Sequence, residues 1–334
     1  MKSLGFISVL LFIILSSTSS SEFINDDDLT LKFNQFKIDY SRVYENELDE
    51  IERKQIFKRN LEFIRQHNLE ASLGEHSYLV GVNQFADLTN EEFRRKFIVN
   101  KKSFEHFSLN LHTDNSVESV PTSIDWVAKG VVSPVIDQGE CGSSWAIPIS
   151  GTIESRNAIK TGKFVQLSIE QIYDCCSTDG HGCDGGLFDD AYKCIIKMHG
   201  LDTASSYPFH YGDGTCRFNP KTVGAKIRSY SYVKTGDENA LQNAVANGPV
   251  AAAIDASQKS FQFYMSGVYD EPACTNNVDH GILIVGYGTQ RIGNQYWKVK
   301  NSWGSSWGMN GYILMSRNKS DQCGIAEMAS YPIF

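Results

Sequence analysis

Residues 1–140 contain no cysteine, although the chain has eight, all of them between Cys141 and Cys323. Disulfides are therefore confined to the C-terminal part, and the N-terminal segment is either stabilised in another way or temporary. Long apolar runs are also missing after Leu15. No later stretch approaches the ~20 apolar residues that a spanning helix needs, so no transmembrane segment is expected. Positive charge is in short supply: 31 Lys and Arg residues face 39 Asp and Glu, for a formal net charge of −8. Without a basic stripe to neutralise phosphates, nucleic acid is not an expected partner. There is no internal repeat or low-complexity tract, and nothing calls for a metal or cofactor.

What is present begins with MKSLGFISVLLFIILSSTSS. Lys2, an apolar core from Leu4 to Leu15 and the small polar residues after it have the layout of a secretory signal peptide, assigned to residues 1–20. The remainder, about 310 residues, suffices for two structural units or one large core. Residues 29–70 read as helical, since Phe33, Phe36, Ile56, Phe57, Leu61 and Ile64 recur at three- and four-residue steps. The polar stretch SRVYENELD predicts a break. The second helix, over Glu50–Asn68, is so charged that it needs a partner surface. Alternation at Tyr78, Val80 and Val82 predicts a strand, and Thr89 with Glu92 forms a capping box opening a short helix. Residues 99–120 lack periodicity and read as a linker. Beyond Val120, helical signal at 144–160 and 187–198 precedes β-rich runs at 225–233, 249–255, 281–287 and 295–300. That order predicts an α+β domain with segregated halves and a cleft between them.

Three blocks then stand out in order: VPTSIDWVAKGVVSPVIDQGECGSSWA, DHGILIVGYG and VKNSWGSSWGMNGYILMSR. They resemble the papain-like cysteine proteases of the cathepsin L type. The N-terminal region resembles that subfamily's inhibitory propeptide, through Arg53, Ile56, Phe57, Asn60, Ile64 and Asn68, with Asp49 where glutamate is usual. Gly81, Asn83, Phe85 and Asp87 complete its second motif. The resemblance implies a papain-like two-lobed α+β fold, with a helical left lobe and a β-barrel-like right lobe, preceded by a helical inhibitory propeptide. It divides the chain into a signal peptide at 1–20, a propeptide at 21–119 and a peptidase-like domain at 120–334. A monomer of the secretory pathway, lysosomal or extracellular, is implied, with its own propeptide as partner.

Residue roles follow from the same resemblance. His280 would be the general base and acid, Asn301 would orient its ring, and Trp303 would shield their contact from water. Gln138 would donate its amide to an oxyanion hole together with the backbone N–H of residue 144. Gly185 and Gly186 would expose backbone to an extended peptide, and Asp279 would also face substrate. Leu187, Phe188, Ala253 and Met328 would wall a pocket for a bulky hydrophobic residue of a peptide or protein partner. Cys141 would pair with Cys183, Cys175 with Cys216 and Cys274 with Cys323. Cys176 and Cys194 are left over, either as a fourth bridge or as free thiols. Asn318-Lys319-Ser320 is a glycosylation sequon if exposed.

The departure lies inside the first block. Ser144 stands where the family has its nucleophilic cysteine, with every neighbour in register. A helix N-terminus and an imidazolium lower a thiol's pKa by several units, so that thiolate and imidazolium coexist. An alkyl hydroxyl starts far more basic and stays protonated. Pro148, four residues on, lacks the N–H that would pair with the Ser144 carbonyl, so a kinked or loosened first helical turn is expected. Two readings result. One is a non-peptidase with a retained peptide-binding cleft. The other is a weak serine-type hydrolase or silicatein-like enzyme using Ser144, His280 and Asn301. Silicateins carry serine at this position but usually lack the tryptophan that comes after it here, Trp145.

Overall fold

The computed structural model describes residues 25–98, 120–177, 182–210, 212 and 214–334. The expected signal peptide and nearly all of the expected linker fall outside the described residues. Residues up to Tyr44 form one compact unit and Glu45–Phe334 another. In the first, Asn25 caps α1 (Asp26–Asp39) by accepting the Asp28 N–H at 2.8 Å, and three aspartates in the first turn suit the helix dipole. Phe33 stacks on Tyr44 with ring centroids 5.8 Å apart.

The second unit opens with α2 (Glu47–Ser72). It extends beyond its apolar rhythm at both ends: Asn46 caps the start by accepting the Leu48 and Asp49 N–H groups, and the Leu73 N–H bonds the last-turn carbonyls at the other. Side chains clamp this helix to residues 80–92. Asn60 donates to the carbonyls of Ala86 and Leu88 at 2.9 Å each, and Asn68 exchanges hydrogen bonds with the Val80 backbone at 2.8 and 3.0 Å. Arg53 pairs with Glu92 at 2.8 Å. β1 (Tyr78–Val80) is the strand of this region, and α3 (Asn90–Phe97) starts at the Thr89–Glu92 capping box, with both of its hydrogen bonds formed.

After β2 (Ile124–Asp125) come three helices: α4 (Ala146–Thr161), α5 (Ile169–Cys176) and α6 (Phe188–Lys197). Their apolar faces close on a core of Trp145, Ile149, Ile153, Ile172, Tyr192 and Ile195, joined by Tyr230, Ala251 and Met328 from the strand half. A two-stranded sheet, β3 (Leu201–Asp202) and β4 (Val223–Ala225), edges this helical lobe. The other lobe holds β5 (Ser229–Tyr232), α7 (Glu238–Ala246), β6 (Val250–Ile254), α8 (Lys259–Gln262), β7 (Tyr264–Tyr269), β8 (His280–Thr289), β9 (Gln295–Lys300), β10 (Tyr312–Ser316) and β11 (Ala329–Ile333).

Nine strands share one sheet in the order β1-β7-β10-β9-β8-β6-β11-β5, with β2 laid on β8. β7 and β10 run parallel, and the other pairs are antiparallel. This corrects the expected β-barrel-like lobe. β1 and β5 lie at opposite ends of the order and do not pair, so the sheet is open among the described residues. Closure needs strands long enough to tilt and meet across the seam, and these two span three and four residues.

The expected loosening around Pro148 takes a definite form. Ser143–Trp145 wind as a 3-10 turn, and the α-helix proper begins at Ala146, so Pro148 is its third residue. Donors in a first turn have no partner inside the helix, so proline is tolerated there. Trp145 and Ala146 keep helical dihedrals, and the path is continuous rather than kinked.

Candidate functional site

The 3-10 turn carrying Ser144 abuts the start of β8, where His280 lies. Gly281, the next residue, packs on the Ser144 carbonyl so closely that a Cβ there would overlap its oxygen. β9 ends at Lys300 and delivers Asn301 alongside. The structure thus brings Ser144, His280 and Asn301 together, all buried. His280 Nε2 is 2.8 Å from Asn301 Oδ1, which also accepts the Ser302 N–H at 2.8 Å. An oxygen already accepting that N–H requires the ring to donate, so the neutral imidazole is protonated on Nε2 and carries its lone pair on Nδ1. The Trp303 ring covers the pair, 4.6 Å from the imidazole centroid.

His280 Nδ1 and Ser144 Oγ, both buried, have no hydrogen-bond partner among the described residues. Ser144 and His280 therefore make no hydrogen bond to each other. Burial pushes the His280 pKa down to about 4, outweighing the opposing pull of the Asn301 bond, so the ring is neutral at neutral pH. Gln138 is buried behind the turn. Its backbone N–H donates to the Ser302 carbonyl at 2.8 Å, its side-chain amide donates to the Cys141 carbonyl at 3.0 Å, and its oxygen accepts from Ser302 Oγ.

The wall of the helical lobe is built by tryptophan. Trp145 Nε1 donates to the Gly182 carbonyl at 2.9 Å, and a Cβ on Gly186 would lie 2.6 Å from the indole. Gly185 has φ +109°, a conformation that side chains disfavour. Leu187 is half-buried, whereas Phe188, Ala253 and Met328 are buried within the helical-lobe core. Asp279 turns its carboxylate to the Ala256 N–H at 2.8 Å. Val278, which the motifs did not single out, packs against the same core cluster. Its signal was an apolar residue two before the histidine.

Residues 83–97 cover the facing wall. Gln84 donates to the Trp303 carbonyl at 2.6 Å, Phe85 and Phe93 meet the Trp303 ring edge-on at 5.7 and 5.1 Å, and Lys96 pairs with Glu140 at 2.6 Å. The cysteines pair as Cys141–Cys183, Cys175–Cys216, Cys176–Cys194 and Cys274–Cys323, leaving none free. Asn318 is exposed, with φ +61°, and its side chain donates to Gln295 at 2.6 Å. Among the described residues no cluster of His, Cys, Asp or Glu is arranged to hold a metal, and no helix is long and apolar enough to cross a membrane.

A helical lobe and an open sheet that meet at a buried histidine–asparagine pair, with residues 83–97 of the same chain packed against Trp303 beside that pair, define a two-lobed protease fold in proenzyme form. The family profile described as Papain family cysteine protease matches residues 120–333, and that of the Cathepsin propeptide inhibitor domain (I29) matches residues 33–93. The chain belongs to the papain family and is a cathepsin L-like homologue with a retained substrate-binding cleft and no free cysteine. It is 44% identical to a cathepsin L-like peptidase of Aedes aegypti over 313 residues, covering 90% of this chain and 92% of that protein. Procathepsin L of Felis catus is 39% identical over 313 residues, 91% of this chain and 92% of its own. Among solved structures, digestive procathepsin L 3 from the larval midgut of Tenebrio molitor superposes with a TM-score of 0.83 at 37% identity, covering 92% of this chain and 99% of that one.

Proposed function

We propose that this protein binds extended peptides in a papain-type cleft without cutting them at a useful rate. The observation that supports this most directly is the unbonded Ser144 Oγ beside an unbonded, neutral His280 Nδ1. A cysteine protease needs a charged pair before substrate arrives, and neither member here carries charge. On this reading Ser144 occupies the nucleophile position, His280 and Asn301 the base and its orienter, and Gln138 the oxyanion hole. Gly185, Gly186 and Asp279 line the cleft. Leu187, Phe188, Ala253 and Met328, with Val278, set a preference for a bulky hydrophobic residue.

The chain is read as a signal peptide at 1–20, a propeptide at 21–119 and a cleft-bearing domain at 120–334. A lysosomal or extracellular location fits the four disulfides, which persist outside the cytosol. Exposure of Asn318 suits glycosylation there. The neutral imidazole supports a second reading, a weak serine-type hydrolase, because a free Nδ1 lone pair is what a general base requires.

Fluorescence anisotropy with labelled peptides, beside peptide and ester hydrolysis assays on chain freed of residues 21–119 by an added protease, separates the two. Saturable binding without turnover is expected. Ester hydrolysis that disappears in His280→Ala and is blocked by a serine-directed reagent would defeat the non-enzymatic reading.

A further inference from the structure

Where the turn before β11 meets residues 274–278, two carboxyls approach each other. Asp321 is 5% exposed, and the half-buried Glu327 lies within hydrogen-bond reach of it. Asp321 Oδ1 accepts the Ala326 N–H at 2.6 Å, whereas no donor reaches its buried Oδ2. Ionised carboxylates only accept, so the pair can bond only by sharing a proton. Glu327 also accepts from the Asn276 side-chain amide at 2.8 Å, and the Val278 N–H donates to the Asn276 carbonyl at 3.0 Å. Val278 packs on the core cluster that contains Met328. The two segments are pressed together: a Cβ on Gly324 would lie 2.9 Å from Val278 Cγ1, and the Cys274–Cys323 bridge joins them.

The charged groups around the pair leave it without a counterion. Glu238 of α7 adds a third carboxylate near Asp321. Lys319 is paired with Asp270 at 3.4 Å, Arg317 donates to Gln242 at 2.6 Å, and Asp255 is taken up by Ser257 and Thr275. Asp321 itself cannot retreat. Asn318, Ser320, Asp321 and Cys323 all hold left-handed φ values of +57° to +61°, a conformation that costs energy for residues with side chains. Glu238 pins that run by accepting the N–H groups of Asn318, Lys319 and Asp321 at 2.7, 3.2 and 3.0 Å. When the two carboxyls repel, Glu327 is the one that turns to solvent.

We propose that Asp321, Glu327 and Asn276 are positioning residues for the peptide pocket: a proton shared by the two carboxyls clips the Asn276–Val278 edge of its wall, and the grip on a bulky side chain weakens when that proton leaves. Burial, against the pull of the Ala326 N–H and with Glu327 and Glu238 beside it, pushes the Asp321 pKa up to about 7. A carboxyl whose pKa is raised on folding contributes fully below its unfolded value, and that contribution is lost as the pH rises through the raised one. Above it Glu327 swings away and Asn276 loses its acceptor. Only the last step, from wall to grip, rests on the peptide-binding reading of the cleft.

NMR titration of the full chain between pH 5.5 and pH 8.5 reads the clip at the Asn276 side-chain amide and the Val278 backbone amide. Both should move with a midpoint of about 7. Asp321→Asn supplies an amide that donates to Glu327 at every pH while its oxygen still accepts the Ala326 N–H, so neither resonance should titrate. Should that variant fail to fold, Asn276→Ala decides: the Asp321 carboxyl should still titrate and Val278 should fall silent. In the anisotropy assay on the folded, cleaved chain, affinity for a peptide with a bulky hydrophobic residue should drop about threefold to tenfold from pH 5.5 to pH 8.5, the scale of one hydrogen bond. Asp321→Asn should hold the acid value throughout. Resonances that do not titrate, a Val278 response that survives Asn276→Ala, or a pH dependence of affinity that survives Asp321→Asn overturns the proposal. Titrating amides in a chain that binds no peptide at any pH would instead refute the peptide-binding reading and leave the clip standing.

Discussion

Replacing Ser144 by cysteine tests the reasoning about charge in the cleft. Burial takes His280 from 6.5 to about 4, which is about 3 kcal/mol against charging the ring. Two opposite unit charges about 4 Å apart attract by about 4 kcal/mol at the effective dielectric near a protein surface. A thiolate at residue 144 therefore offsets the burial of the imidazolium, and a neutral hydroxyl does not. In Ser144→Cys the His280 midpoint should rise from about 4 to well above 6, with Ser144→Ala remaining like the wild type. The assay is a pH titration of the 15N-labelled imidazole resonances, which needs no substrate to enter the cleft. Peptide hydrolysis should return with the shift once residues 21–119 are removed. If His280 titrates at the same pH with cysteine as with serine, the two groups are not electrostatically coupled, and the argument for the proposed lack of turnover fails.

The pH dependence of stability has a fixed sign. His280 is neutral when folded and has a lowered pKa, so its contribution is complete above pH 6.5 and is lost as the pH falls to about 4. Urea denaturation at pH 7 and pH 4 should show wild type losing about 3 kcal/mol more than His280→Asn. Because Pro148 is the third residue of α4, adding Pro148→Ser to Ser144→Cys should change the hydrolysis rate by less than about threefold, as no helical hydrogen bond was forfeited there. Removing the Cys176–Cys194 bridge, whose cysteines are 18 residues apart, with a double alanine variant should lower stability by about 3 kcal/mol in denaturant titrations. Gly281→Ala forces β8 away from the Ser144 carbonyl, and thermal melting should report about 1–3 kcal/mol of destabilisation with loss of peptide binding.

The helices before the cleft were legible because apolar spacing and capping residues are local. The Thr89–Glu92 box and the strand at Tyr78 were readable for that reason. Family motifs made the two-lobed architecture and the serine at 144 readable as well. Sheet closure was not legible, since it depends on whether the short β1 and β5 meet, a long-range fact no local pattern encodes. Nor were β7, β10 and β11 anticipated, which span only six, five and five residues. Within the site, the neutrality of His280 depends on how much chain covers it, and residue type alone does not carry burial. The effect of Pro148 turns on whether the helix starts at residue 144 or 146, a boundary that local spacing does not settle.

The hold of Trp145 on the Gly182–Gly186 loop means that the shape of this wall does not depend on the side chain at residue 144. The indole fixes that loop through its own hydrogen bond to Gly182 and its contact with Gly186, using no atom of the Ser144 side chain. A change of side chain at residue 144 therefore leaves the anchoring of that loop intact. On the proposed reading, the cleft's hold on a peptide and the chemistry at residue 144 can then vary independently, because no atom that fixes the loop belongs to the Ser144 side chain.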